Sequence, residues 1–165
     1  MEQKLNQEVY IEAIESIAKK YPEKIKKSNY KDFIWHLAIA GPENSVYKSG
    51  VFDIEIRFPT GHFGHPFVYF NTPIYHPNIG YFNTEPGKNP RPQADRLSLC
   101  YSHCLKFLEG ENIVICTLGR VFSVLEYPDT ICEHNGEVTE VAKNDKRLFY
   151  NTAKEWTYFF AYKAE

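Results

Sequence analysis

The sequence lacks three features, each of which would place it at once in a broad class of proteins. It has no apolar run long enough to span a bilayer. Its 19 Lys and Arg stand against 21 Asp and Glu, for a net charge of −2, so it has no electrostatic signature of nucleic-acid binding. The first ten residues, MEQKLNQEVY, show no apolar stretch of the secretory type. We therefore expect an intracellular, cytoplasmic protein that neither inserts into a membrane nor binds nucleic acid.

Cysteine is also scarce, with four residues at positions 100, 104, 116 and 132. In a chain without a secretory signal, such cysteines are more often free thiols than a disulfide framework. Cys100, His103 and Cys104 lie close enough in the chain to raise the alternative of a structural zinc site. However, their spacing matches no strong zinc pattern, and a second CxxC pair is missing. We expect neither a bound metal nor another cofactor.

What the sequence does contain is enough bulky apolar material for a core. Hydrophobic residues make up 43% of the chain and aromatic residues 16%, with 12 Tyr and 12 Phe. A chain of 165 residues is most simply one domain around one core. The expected unit is therefore a single domain over residues 1–165.

The hydrophobic pattern of the first half predicts a helix followed by an antiparallel sheet. Apolar residues at helical spacing predict a helix over residues 3–20, which Pro22 ends. The Lys-rich residues 19–27 are typical of a solvated connection. Strands are predicted at residues 33–40, 52–58 and 68–70. Strands joined by short turns form a meander with one buried face, and the opening helix is its expected cover.

The second half of the sequence is less regular and ends in helices. Residues 79–96 hold several Gly and Pro residues without periodicity, which predicts a long loop. An extended pattern resumes over residues 97–100, and residues 117–125 carry a helical stripe that Pro128 ends. Beyond a polar loop, apolar residues at three- and four-residue steps predict further helices up to Phe160.

The stiffest part of the chain is predicted between Phe58 and Asn78. Prolines at positions 59, 66, 73 and 77 each fix φ and remove a backbone donor. Four prolines in so short a span predict a rigid, non-helical path. Such a path suits the task of holding one polar side chain in a fixed direction, and the candidate side chain is Asn78.

The order of these elements and several motifs resemble the ubiquitin-conjugating enzyme family. FIWHLAIAGP and YKSGVFDIEIRFP are similar to the family's first strand, turn and second strand. PFVYFNTPIYHPNI is similar to its third strand and His-Pro-Asn signature, here His76-Pro77-Asn78, and NDKRLFYNTAKEWTYFFA resembles its closing helix. The resemblance covers nearly the whole chain. It implies the family's α+β fold, an N-terminal helix packed on a four-stranded antiparallel meander sheet and followed by C-terminal helices.

The resemblance also implies a chemistry and the residues that perform it. The family carries ubiquitin or a ubiquitin-like protein as a cysteine thioester and passes it to a lysine or to a ligase. Residues 97–100, LSLC, align with the family's Gly-Ser-Ile-Cys, so Cys100 is the implied nucleophile. A second register, which needs a compensating deletion further on, puts Cys104 there instead. Asn78 is the implied oxyanion stabiliser, and His76 and Pro77 are its structural support.

Phe63 aligns with a Phe that contacts ligases in the family. The alternative is that Phe63 is simply an anchoring aromatic residue in a Gly-rich turn. The resemblance leaves both interpretations open.

Several departures from the family pattern lie around the implied site. The connection from Asn78 to Cys100 is much longer than the family's short turn, so we interpret residues 79–96 as an insertion. Residues 108–111, LEGE, replace the family's Trp-Ser-Pro-Ala, and Ser102 and Cys132 stand where many members have carboxylates. The opening helix, with Gln7, Glu8 and Glu12, lacks the family's usual basic face.

These departures favour a second interpretation, a catalytically inactive variant that serves as a structural subunit or adaptor in a larger complex. If the chain is active, the expected partners are ubiquitin or a ubiquitin-like protein, an activating enzyme and a ligase. If it is silent, the expected partners are other protein subunits.

Overall fold

The computed structural model describes residues 2–60, 65–81, 96–100, 111–131 and 134–162. Its first element is helix α1 (Glu2–Lys20), which confirms the helix predicted over residues 3–20. The buried side of α1 carries Tyr10, Ile14 and Ile17, which recur at helical spacing. Lys19 and Lys20 lie in its last turn, where positive charge interacts favourably with the helix dipole. Within the described ranges, no helix is both long and apolar enough to cross a bilayer.

In the part of the chain that the structure describes, six strands form one antiparallel sheet in the order β1-β2-β3-β4-β6-β5. Their bounds are β1 (Ile25–Lys31), β2 (Ile34–Ala40), β3 (Val51–Arg57), β4 (Phe67–Phe70), β5 (Ile79–Tyr81) and β6 (Leu97–Leu99). The predicted α+β class and the order of helix, sheet and C-terminal helices are confirmed. The predicted sheet of four strands corresponds to β2, β3, β4 and β6, so β1 and β5 were missed.

Strand β1 lies at the edge of the sheet, and its first residues belong to the stretch predicted as a solvated connection. That prediction was wrong, since residues 25–27 begin a strand. The sequence did not indicate the strand because β1 exposes most of its side chains and buries only Ile25. Lysines are common on edge strands, since their charge discourages pairing with another chain. A two-residue turn at Asp32-Phe33, with φ of 51° and 64°, leads from β1 to β2.

The core lies on the inner face of the sheet, against α1 and the helices of the second half. Alternate residues of two neighbouring strands point inward and are buried, namely Trp35, Leu37 and Ile39 of β2 and Phe52, Ile54 and Ile56 of β3. These side chains join apolar residues of the helices in one hydrophobic cluster. Full burial of one such side chain stabilises the fold by about 1.5–3 kcal/mol. The strand predicted at residues 52–58 is therefore confirmed, and its apolar side chains face the core.

In the second half of the chain, the described residues form three helices and a π-helical segment: α2 (Glu111–Glu126), α3 (Gly136–Asn144), α4 (Lys146–Trp156) and the π-helical residues Thr157–Ala161. Helix α2 contains the stripe predicted at 117–125 and begins earlier. It packs against α1, which also contacts β1. Side chains cap the last two helices, because Asn135 Oδ1 accepts from the Val138 N–H and Asp145 Oδ1 accepts from the Leu148 N–H.

Strands β5 and β6 pair directly with each other, Tyr81 opposite Leu97 and Ile79 opposite Leu99. The first three residues of the stretch predicted as a loop over 79–96 are therefore a strand. Residues 82–95, which make up most of the predicted insertion, lie outside the described ranges. Because Tyr81 and Leu97 are partners, the two ends of the connection lie next to each other in the sheet.

Candidate functional site

The predicted site begins at the turn His76-Pro77-Asn78, where the His76 ring is fully buried. The backbone N–H of Asn78 donates to His76 Nδ1 over 2.9 Å, so Nδ1 carries no proton. Nε2 lies 2.9 Å from the carbonyl oxygen of Val124 in α2, and it must therefore be the protonated nitrogen. With both nitrogens occupied, His76 holds the turn against α2.

Tyr47 supports the His76 ring from one side. The two rings are stacked with centroids 5.4 Å apart, and Tyr47 is fully buried. Its hydroxyl donates to the carbonyl oxygen of Tyr75 over 2.7 Å, one residue before His76. Burial raises the pKa of Tyr47 well above its ordinary value of 10.0, so the phenol stays neutral and continues to donate. The His76-Pro77-Asn78 turn is thus held by α2 on one side and by Tyr47 on the other.

The carboxamide of Asn78 is also fully buried and faces Asp129, which follows α2. Its Nδ2 lies 3.0 Å from the backbone oxygen of Asp129 and 3.2 Å from Oδ1 of the same residue. In return, the backbone N–H of Asp129 donates to Asn78 Oδ1 over 3.0 Å. The candidate oxyanion donor is therefore also the side chain that fastens the chain after α2 to the turn.

A second fastening lies a few residues further on, at His134 and Asn135. The Asn135 N–H donates to the Pro77 carbonyl oxygen over 3.2 Å, and its Nδ2 donates to the Ile79 carbonyl oxygen over 3.1 Å. His134 Nε2 lies 3.1 Å from the Ser98 carbonyl oxygen. We call residues 129–135, of which 132 and 133 lie outside the described ranges, the strap. Its two ends are tied to residues 77–80 and to β6.

Gly80 allows this close approach of the strap to β5. A Cβ atom at Gly80 would lie 3.0 Å from Asn135 Cβ and 3.1 Å from the His134 carbonyl oxygen. Sequence analysis missed Asp129, His134 and Asn135 as site residues, since nothing local in the sequence links them to residues 77–80. The Asn135-Gly136 pair was predicted only as part of a polar loop.

Cys100 follows β6 directly and lies beside the turn. Its backbone N–H donates to the Asn78 carbonyl oxygen over 2.8 Å, and the residue is 6% exposed. The fold thus brings together Asn78 and Cys100 despite the long connection between them. Any function assigned to the Cys100 thiol must therefore be compatible with a residue that is almost fully buried. Cys116 differs, because it is an exposed free thiol on α2.

Several residues singled out from the sequence lie outside the described ranges, and the structure makes no statement about them. They are Phe63, Ser102, His103, Cys104, Cys132 and residues 108–110. Among the residues that are described, no group of three or more His, Cys, Asp or Glu side chains is arranged to hold a metal ion.

A charged cluster covers the outer face of the sheet next to β6, and Glu55 of β3 is its centre. Arg57 Nε and Arg96 Nη1 lie 2.6 and 2.9 Å from Glu55 Oε2, and His36 Nδ1 lies 3.6 Å from Oε1. These neighbours leave Glu55 only 5% exposed. Burial alone would raise the pKa of Glu55, but hydrogen bonds and charges of Arg57 and Arg96 lower it below 4.5. The carboxylate is therefore ionised at neutral pH.

Comparison with known proteins gives one family. The family model described as "Ubiquitin-conjugating enzyme" matches residues 5–84 of the chain, a range that includes the His-Pro-Asn turn and ends before Cys100.

Two solved structures share the fold over almost the whole chain. One is a putative ubiquitin-conjugating enzyme from Plasmodium yoelii, 25% identical, with a TM-score of 0.74 and 93% of each chain covered. The other is the E2 domain of a Toxoplasma gondii ubiquitin-conjugating enzyme, 22% identical, with a TM-score of 0.70, where the match covers 94% of this chain and 98% of that one.

Proposed function

Because the chain belongs to the ubiquitin-conjugating enzyme family, we propose that it carries ubiquitin or a ubiquitin-like protein as a thioester on Cys100 and passes it to a lysine or to a ligase. The observation that supports this most directly is the 2.8 Å hydrogen bond from the Cys100 N–H to the Asn78 carbonyl oxygen. It joins the cysteine to the His-Pro-Asn turn although the connection between them is long. Membership of the family implies modifiers of the ubiquitin class as partners in general.

The proposed reaction consists of two acyl transfers on one sulfur. The Cys100 thiol loses its proton to solvent, and the thiolate attacks the carbonyl carbon of a thioester held by the activating enzyme. A new S–C bond forms and the thiolate of the activating enzyme leaves. A neutral amine, or a ligase thiolate, then attacks the same carbon and releases Cys100 as a thiolate. In the amine case the nitrogen loses one proton to solvent as the amide forms. Each attack creates an oxyanion that a fixed N–H group can stabilise.

Asn78 is the proposed donor to that oxyanion. Its Nδ2 carries two N–H groups, and two oxygens of Asp129 lie within hydrogen-bond distance of it. In the proposed reaction, the Asp129 backbone oxygen keeps one N–H, and the other leaves the Asp129 carboxylate for the oxyanion. Asn78 then acts as a donor without releasing the strap. His76 and Pro77 act as its support.

A second candidate function is a catalytically inactive variant that serves as a structural subunit or adaptor. The burial of Cys100, which is only 6% exposed, favours it, because a carrier thiol must be reached by the thioester of another protein. Cysteine is also a common buried residue without any chemical role. The departures at residues 102, 108–111 and 132 point in the same direction.

A thioester assay separates the two candidates. The purified chain is incubated with activating enzyme, ATP and ubiquitin, and in parallel with ubiquitin-like proteins and their own activating enzymes. We expect an adduct that disappears on treatment with reductant and is absent from Cys100→Ala. The Cys100→Ser variant should form an ester adduct that survives reductant. No adduct with any modifier would overturn the carrier function and leave the adaptor.

The assay also decides between the two candidate cysteines. Cys104→Ala should form the adduct as the unsubstituted chain does. If the adduct persists in Cys100→Ala and is lost in Cys104→Ala, the carrier is Cys104 and the role given to the Asn78–Cys100 contact is wrong. Cys116→Ala is the matched control, because Cys116 is an exposed thiol on α2 that the proposal does not use.

A further inference from the structure

We infer that Glu55 is a positioning residue for Cys100, because it holds Arg96 and so fixes the register of β6 and the placement of the cysteine that follows. The inference rests on the proposed function in which Cys100 is the carrier. Glu55 itself does not touch the reacting atoms. Its effect passes through Arg96, which immediately precedes β6.

Arg96 is held by three residues of the sheet's outer face. Its Nη1 donates to Glu55 Oε2 over 2.9 Å, and its Nη2 donates to Asn71 Oδ1. Its guanidinium also lies over the ring of Tyr69, 4.5 Å from the centroid. The Arg96 side chain is 23% exposed, and that of Glu55 is 7% exposed. Hydrogen bonds from a guanidinium to a shielded carboxylate are among the stronger ones in proteins.

Strand β6 needs such support because its own ladder is short. It spans only Leu97–Leu99, and its partners on β4 are two residues, Tyr69 opposite Ser98 and Phe70 opposite Leu97. Its other partner, β5, is an equally short strand at the edge of the sheet. A ladder of this length offers few backbone hydrogen bonds that distinguish one register from the next.

The register matters for the cysteine because side chains alternate across a strand. A slip by one residue turns every side chain of β6 to the opposite face of the sheet. It would also break the bond between the Cys100 N–H and the Asn78 carbonyl oxygen. Such a slip would pull Arg96 away from Glu55 and Asn71, so the hydrogen bonds that Arg96 donates to these two residues oppose it. Glu55 on β3 is thus coupled to the cysteine that follows β6, two strands away in the sheet.

The test measures the local opening of β6 in Glu55→Gln, which keeps the shape of the side chain and removes its charge. Asp53→Asn is the matched control, since Asp53 is an exposed acid on the same strand. Two readouts are used under conditions where both variants are fully folded. One is amide hydrogen exchange at Cys100. The other is alkylation of Cys100 by a small maleimide, followed by mass spectrometry, with the exposed Cys116 as internal reference.

We expect Glu55→Gln to increase both rates at Cys100 by about tenfold, as the loss of one charge-assisted hydrogen bond predicts. Alkylation of Cys116 should stay unchanged, and Asp53→Asn should match the unsubstituted chain at both cysteines. Unchanged exchange at Cys100 in Glu55→Gln would overturn the inference, as would an equal increase at Cys116.

A double-variant cycle shows whether the effect passes through Arg96. If it does, Glu55→Gln combined with Arg96→Gln should increase exchange at Cys100 no more than Arg96→Gln alone. Additive effects of the two substitutions would contradict the proposed route.

The thioester assay gives a further readout for Glu55→Gln. Its maximal transfer rate should be lower than that of the unsubstituted chain, while the half-saturating concentration of activating enzyme stays unchanged. If the unsubstituted chain forms no thioester, the carrier function fails, whereas the exchange and alkylation results still decide the role of Glu55.

Discussion

Asn78 and Asp129 hold each other through both ends of one carboxamide, with Nδ2 3.0 Å from the Asp129 carbonyl oxygen and the Asp129 N–H 3.0 Å from Oδ1. The pair is 51 residues apart in the chain and fully buried on the Asn78 side. One side chain therefore links the His-Pro-Asn turn to the start of the strap, in addition to any part it takes in transfer.

Asn78→Ala should lower the free energy of unfolding by about 1–3 kcal/mol, because it removes a fully buried carboxamide and leaves partly buried backbone groups of Asp129 without that partner. Urea unfolding followed by far-ultraviolet circular dichroism measures the change. The matched control is Asn144→Ala, which removes an exposed carboxamide bonded to Glu140 and should change stability by less than about 0.5 kcal/mol. Equal, small effects of the two substitutions would contradict the fastening role of Asn78.

His76 should exist as the Nε2–H tautomer, since the Asn78 N–H requires an acceptor at Nδ1 and the Val124 carbonyl oxygen requires a donor at Nε2. Long-range proton–nitrogen correlation spectra identify the tautomer of each histidine ring. His36, whose side chain is 55% exposed, gives the reference spectrum of a histidine near the surface. Detection of an Nδ1–H tautomer for His76 would mean that the turn is held differently.

The contribution of Glu55 to stability should depend on pH in one direction. Its folded-state pKa is lowered below 4.5, so the ionised form is the one that the fold stabilises. The stabilisation is present in full above the unfolded-state value and is lost as the pH falls through the folded-state value. The difference in unfolding free energy between the unsubstituted chain and Glu55→Gln should therefore be largest near pH 7 and shrink below pH 4.5. A difference that stays constant, or grows in acid, would contradict this assignment.

Two glycines should respond in opposite ways to alanine. A Cβ at Gly50 would lie 2.7 Å from Thr157 Cγ2 and 2.9 Å from a ring carbon of Phe52, so Gly50→Ala should destabilise the fold by about 1–3 kcal/mol. Nothing lies within 4 Å of a Cβ at Gly119 in the interior of α2, so Gly119→Ala should stabilise the fold by about 0.5–1 kcal/mol. Thermal unfolding of both variants tests the pair. Stabilisation by Gly50→Ala would contradict the close packing at Gly50, and destabilisation by Gly119→Ala would contradict the free space at Gly119.

The sequence predicted the elements whose side chains alternate or recur with a clear period. Helix α1, strands β2 and β3, and the stripe in α2 all bury one face, and burial is what creates the period. Strand β4 was predicted as a short apolar run, and three of its four residues are buried. Strand β1 was missed because an edge strand with lysines buries almost nothing on either face. Strand β5 was missed because three residues before a Pro- and Gly-rich stretch carry no measurable period.

The candidate site divides in the same way. Asn78 was found because four prolines before it predict a rigid path, and its resemblance to a family signature gave it a role. Its partner Asp129 was not found, since the contact depends on where the end of α2 meets the turn. The hold of Glu55 on Arg96 was also missed, because the alternation of β3 indicates only that Glu55 faces outward, and its burial comes from side chains distant in the chain.

Since Tyr81 and Leu97 are paired partners, the fold itself holds together the two ends of the chain between them. Extending a connection whose ends are already held together costs only about 0.6 kcal/mol for each doubling of its length. This position is therefore suited to engineering, because an affinity peptide or a small fluorescent domain with closely spaced termini could be grafted between the two strands. Such a chimaera would report on the chain in cells while its termini and its helices remain unaltered.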